Sequence, residues 1–271
     1  MLTAVRTDPF IFRQKVVASG YEWLEDAEGK SRLVAKAGAG SITTHLEIAL
    51  FRKFALLEPS PAAIADFAAH YGNIFDVFPI EHFAQRSDGS CEPGASFRTW
   101  TENIADMRAV ARLWEQIQTR QLPKLQNILQ WSDKFVSYKF KTPLHLSDAF
   151  LAHKDIPGSG FEQLDPNEIV FPCRLALQRE INKRLAEHPP VPTLAWTPDF
   201  EQRILLRPPH LLAALWLQFA QAVTGDLELV ACEGCGKHFQ RGPGARRADA
   251  VTCSPSCRQR KRRAKPGTGN V

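Results

Sequence analysis

Two hydrophobic periods share this chain, and the switches between them lay out its elements. Residues 11–17 and 21–25, separated by Gly20, and residues 31–35, after the turn at 26–30, are strand-length runs bounded by glycine. They predict a β-meander over residues 10–37. Leu46, Leu50, Phe54 and Leu57 then recur at helical spacing, and the pattern stops before Pro59. Ser60 and Pro61 fit the cap and first position of a second helix carrying Ile64, Phe67, Ala68 and Tyr71, with Gly72-Asn73 as its stop. The polar, glycine-containing stretch 85–96 predicts a loop, and Cys91 within it reads as a spectator thiol.

Thr99 and Glu102 have capping-box spacing. Ile104, Met107, Ala111, Trp114 and Ile117 mark one face of a long helix expected to end near Leu122-Pro123. A further helix is expected to carry Leu125, Ile128, Leu129 and Trp131. Residues 143–165 read as irregular, with His145 and His153 as polar loop residues. Gly158-Ser159-Gly160 lacks the strand and helix that a phosphate-cradling loop requires. Cys173, Leu177, Ile181 and Leu185 form an i, i+4 ladder that makes Cys173 a core residue. Beyond Pro189-Pro190, residues 193–196 and 202–206 predict two strands. A helix over 211–223 follows, with Leu212, Leu215, Trp216, Phe219 and Val223 facing the core and Gly225 ending it.

A chain of 271 residues with 44% hydrophobic content supports a core domain over residues 1–225 and a small unit over 226–271. The fold class expected is α+β: a mostly helical core with a small antiparallel sheet, plus a C-terminal treble-clef zinc finger. The longest apolar stretch, 211–219, is far short of the about 20 residues of a membrane helix. The first residues show no apolar run of the kind a secretory signal carries. The expectation is a soluble, cytoplasmic protein with no membrane partner.

The formal charge of +5 is unevenly placed. From Cys232 to Lys265 there are ten basic residues (Lys237, Arg241, Arg246, Arg247, Arg258, Arg260, Lys261, Arg262, Arg263 and Lys265) against Glu233 and Asp249. That segment is +8, and the rest of the chain is −3. Like charges crowded on one short element repel unless an anion is near, and phosphate is the commonest such anion.

The same segment holds four of the six cysteines: Cys232 and Cys235 with two residues between them, then Cys253 and Cys257 with three. Paired cysteines so spaced can each supply two ligands to one tetrahedral Zn2+. Gly234 and Gly236 permit a tight knuckle turn, and Ser254-Pro255 fits the start of a helix holding Cys257 in its first turn. Residues 237–240 and 250–252 are expected to be short strands, completing a treble clef. Four protein ligands leave no open coordination position, so the expected zinc is structural.

A long helix ending in residues 214–223, a knuckle followed by Phe239, an Arg-rich loop and Cys253-Ser254-x-x-Cys257-Arg258 together resemble the C-terminal finger of the CGNR-type zinc-finger proteins. Those are bacterial proteins described as stress-related transcription regulators, with an N-terminal α/β domain ahead of the finger. Where the family has Gly-Asn-Arg after its last cysteine, this chain has Arg258-Gln259-Arg260, and its inter-cysteine spacings are shorter, as in a sister group of the same architecture.

The resulting expectation is a non-enzymatic, DNA-binding transcriptional regulator. Its contacts with nucleic acid, as duplex DNA, would come from Arg241, Arg246, Arg247, Arg258, Arg260, Lys261, Arg262, Arg263 and Lys265. A small-molecule effector would bind the core domain, and a homodimer through that domain would double the contact. The alternative is a protein-interaction module whose finger is structural or docks an acidic partner. An HNH-type nuclease would need further His and Asn ligands around His238, and the finger has no second histidine.

Overall fold

The N-terminal strands nest instead of meandering. β1 (Arg13–Val17) pairs antiparallel with β4 (Ser41–His45), enclosing the hairpin of β2 (Tyr21–Glu25) and β3 (Ser31–Ala35). Asp26 closes that hairpin: its carboxylate accepts the Glu28 and Lys30 amides at 3.0 and 2.8 Å and the Arg32 guanidinium at 2.6 Å. The computed structural model in which this is seen describes residues 12–38, 40–47, 49–75, 83–160, 162, 164–165, 167–196, 202–224, 228–235, 238–241 and 250–264. Seven helices and several small antiparallel sheets are present among them, an α+β fold.

Helix α1 (Leu50–Leu56) precedes α2 (Pro61–Tyr71), whose start and stop follow from sequence. Ser60 Oγ accepts the Ala63 amide at 3.3 Å, and Gly72 at φ 89° ends the helix in a conformation side chains disfavour. The polar stretch 85–96 is not a loop. It forms the hairpin β5 (Phe83–Gln85) and β6 (Cys91–Pro93), followed by β7 (Ala95–Ser96) on the edge of β3. Its turn is held by Asp88, which accepts the Ser90 amide at 2.9 Å.

Helix α3 (Phe97–Gln118) starts earlier than its capping-box spacing implied. Ser96 is the cap, accepting the Thr99 amide at 3.0 Å, while Glu102 pairs with Arg98 at 2.7 Å. Helix α4 (Leu122–Gln126) is only a turn long, and Leu129–Trp131 is strand β8. β8 pairs with β9 (Phe135–Lys141), which pairs with β10 (Leu146–His153), so much of the stretch expected to be irregular is sheet. α5 (Val170–Glu187), the ribbon β11 (Val191–Trp196) and β12 (Gln202–Arg207), and α6 (Leu211–Thr224) complete this part of the chain. Gly225 lies outside the described residues.

The main core is formed by α1, α3, α5 and α6. Phe219 packs against Phe51, tilted, and Trp114, edge-on, at centroid distances of 5.1 and 5.5 Å. Cys173 is buried there, and burial pushes its thiol up to about 12. Helix α6 is buried on nearly all sides because the core surrounds it.

One part of this core is ionic. Asp106 of α3 and Glu180 and Arg184 of α5 are each at most 2% exposed. Arg184 Nε and Nη2 donate to the two Asp106 oxygens at 3.0 and 2.9 Å, and Nη1 reaches Glu180. Tyr138 donates to Glu180 at 2.7 Å, and Thr142 donates to Asp106. His145 lies in the turn between β9 and β10, as expected, with its Nε2 3.3 Å from Glu187, whereas His153 is the last residue of β10.

At the adjoining end of α5, the rings of His188 and His210 meet edge-on at 4.9 Å, with Phe75 against His210. Burial depresses His188, and burial with the nearby His188 depresses His210 to about 4. In the unfolded chain both protonate near pH 6.5. Stability is therefore full above that value and falls as the pH drops from about 6.5 towards about 4, with His210 alone contributing on the order of 3 kcal/mol. Denaturation midpoints at pH 7.5 and 5.0 check this; equal midpoints would contradict it.

Candidate metal centre and basic helix

The four C-terminal cysteines converge on one point. Strand β13 (Glu228–Ala231) leads into Cys232, and β14 (His238–Arg241) pairs with β13 on the far side of the Cys232–Cys235 turn. The knuckle thus sits at the end of a hairpin, and β13 is a strand that the sequence reading did not contain. Residues 250–252 form no strand, but the Glu233 amide donates to Val251 O at 3.0 Å, which brings the second cysteine pair alongside the first. Gly236, Lys237 and residues 242–249 lie outside the described residues.

Helix α7 (Pro255–Ala264) starts as its sequence dictates. Ser254 Oγ accepts the Cys257 amide at 3.1 Å, and Pro255 occupies the first helical position, where an amide hydrogen would be unused. Cys257 is therefore held in the first turn, facing the knuckle. Gly234 permits this approach: a Cβ at that position would lie 2.7 Å from Cys257 O and 2.9 Å from its Cβ.

All four sulfur atoms lie within 4.8 Å of one another. Cys253 Sγ is 3.6 Å from both Cys235 Sγ and Cys257 Sγ. A disulfide needs about 2.05 Å, whereas the edge of a tetrahedron with metal–sulfur bonds of about 2.3 Å is about 3.8 Å. The cysteines are free thiols, and their arrangement could hold a metal ion.

The backbone already favours anionic sulfur at this centre. Cys232 Sγ accepts the amides of Cys253 and Gly234 at 3.3 and 3.4 Å. Although burial works to raise the Cys232 thiol, these amides outweigh it and bring it down to about 6. Cys253 moves the other way, up to about 12, chiefly because its hydrogen bonds with Cys232 and Cys257 retain the proton. Without a cation the four thiols share protons; a bound cation takes the protons' place.

Around the sulfurs is a small apolar cluster of Cys232, Phe239 and Cys257, with Val230 and Ala250 against it. It is separate from the main core.

The basic side chains divide by role. Cys257 and Lys261, one helical turn apart, share the face of α7 towards the knuckle, and Lys261 pairs with Glu233. Arg258, Arg260 and Arg263 are exposed. Arg260 also reaches back to Gly234 O at 3.5 Å. Arg262 lies on α7 and Arg241 ends β14. Arg246, Arg247 and Lys265 lie outside the described residues. The docking of Lys261 on Glu233 could have been suspected only from Glu233 being the lone acidic residue of the knuckle.

Comparison of the chain with models of protein families, with curated proteins and with solved structures finds no match. No described helix is long and apolar enough to cross a membrane.

Proposed function

We propose that this chain is a zinc-finger DNA-binding protein, a cytoplasmic transcriptional regulator whose residues 1–225 sense an effector. The observation that carries the reading is α7: five basic and no acidic residues in ten, on a helix fixed by Cys257 to the cysteine cluster. Of Arg258, Arg260, Lys261 and Arg263, Lys261 is the one with a carboxylate partner among the described residues. Exposed Arg258, Arg260 and Arg263 leave a cationic surface on a rigid support, which suits the phosphate backbone of a duplex.

Zinc is the metal the donor set favours, because four thiolates at tetrahedral spacing match its preference for soft ligands. Cys232, Cys235, Cys253 and Cys257 would hold it, and with no coordination position left open it would supply structure and no chemistry. The regulatory role rests on the resemblance to CGNR-type proteins, and the effector is a small molecule of the core domain.

The variant Arg258→Ala/Arg260→Ala/Arg263→Ala tests this. Each lost phosphate contact removes about 0.9 from the log–log salt slope on duplex DNA, so the slope should flatten by up to about 2.7, with weaker binding at every salt concentration. Metal content should not change. Equal affinity and slope in variant and parent would remove DNA contact from α7, and binding to an acidic protein surface but not to DNA would favour the interaction-module alternative.

A further inference from the structure

The β11–β12 ribbon, which joins α5 to α6, presents an uncovered apolar face. In its register Pro192 pairs with Leu206, Leu194 with Ile204, and Trp196 with Gln202. Because side chains alternate across a strand, these six positions share one face. No charged residue stands at any of them. Leu194 and Trp196 are each 65% exposed and Ile204 is 73% exposed, while Leu205 on the opposite face is buried.

An isolated two-stranded ribbon is marginal in water, and it needs a further layer on its apolar face. The described finger residues do not supply that layer: apart from Val251, which is itself 37% exposed, the apolar side chains described there are occupied in their own cluster, and α7 presents arginines. A nucleic acid would find no cation on this face, and neither would an anionic membrane. What matches an uncharged apolar ribbon is another of the same kind, and every second copy of the chain brings one.

We infer that this face is a homodimer interface, in which two β11–β12 ribbons pack face to face across a two-fold axis near the central Leu194–Ile204 pair. Such a contact is isologous and closes at two copies. Leu194, Trp196 and Ile204 alone expose on the order of 400 Å², within the about 300–600 Å² of the largest, often functional, apolar patch on a soluble protein. Two copies remove about 800 Å² through these residues, and Pro192 and Leu206 carry the total towards the about 1,000 Å² at which stable interfaces begin. The contact is independent of what α7 binds.

The test is the solution mass of the full chain, by sedimentation at micromolar to hundred-micromolar concentration without DNA. The wild-type chain should be a dimer. Ile204→Glu and Ile204→Lys, changes at a solvent-facing position, should each be monomeric while keeping the wild-type far-ultraviolet circular dichroism spectrum. An equimolar mixture of the two should recover the dimer, because their opposite charges meet near the axis; a folding defect would not be rescued in this way. A wild-type monomer, larger open-ended assemblies, Ile204 variants that stay dimeric, or a mixture that stays monomeric would each overturn the assignment. Should the Ile204 variants fail to fold, the same measurement on Trp196→Ala must show at least about tenfold weaker association; unchanged association would overturn it.

Discussion

Replacing Arg184 with alanine lowers the stability of the folded chain by about 3–5 kcal/mol, the expected cost of breaking a buried ion pair from one side. Arg184 is 1% exposed, and its guanidinium holds both Asp106 oxygens and one oxygen of Glu180. Removal leaves two carboxylates in a site that water does not reach, and an uncompensated buried charge costs far more than an exposed one. The guanidinium also lies 5.7 Å from the Trp216 ring, so the variant loses packing on α6 as well. Since whole domains are stable by about 5–15 kcal/mol, the core should melt far below the wild type. Denaturant titration gives the number; a loss under about 1 kcal/mol would mean the cluster is hydrated and not structural.

The second large effect is metal removal. Stripping the ion with a chelator, or substituting Cys257→Ser, is expected to unfold residues 228–264 while leaving the core intact. The finger's buried cluster of Cys232, Phe239 and Cys257 is far too small to fold a unit by itself, whereas structural zinc binding is worth about 10–16 kcal/mol. The chain provides its own control, because all six tryptophans (23, 100, 114, 131, 196 and 216) precede the finger. Tryptophan emission should stay constant while trypsin gains access to Arg258, Arg260 and Arg263. Emission that shifts together with proteolysis would show that finger and core unfold as one unit.

What the sequence disclosed depended on how local each cause was. Ser60-Pro61 and Ser254-Pro255 start helices through contacts spanning three residues, and both starts were legible. The β11–β12 ribbon was legible too, since its strands are flanked by prolines and close together in sequence. The four cysteines carry their geometry in their spacing, and the structure brings all four together.

The failures share a longer reach. β8, β9 and β10 are made sheet by one another and by α5 beneath them, so a reading of single segments missed a strand in 143–165. Asp106 and Arg184 are 78 residues apart, and each sits on a helix face where a charged residue ordinarily meets solvent. Nothing local announces that the two are buried together. The cap of α3 was misplaced by three residues because Ser96 and Thr99 are both competent, and the pairing of β7 with β3 selects Ser96.

The C-terminal unit is proposed to be a zinc-held, DNA-binding finger. The most direct test is a fluorescence-anisotropy titration of mixed-sequence duplex DNA with the full chain, at low and moderate salt, with metal content determined on the same sample. One zinc per chain is expected, with binding whose affinity falls steeply as salt rises. One zinc per chain with no binding even at low salt would contradict it.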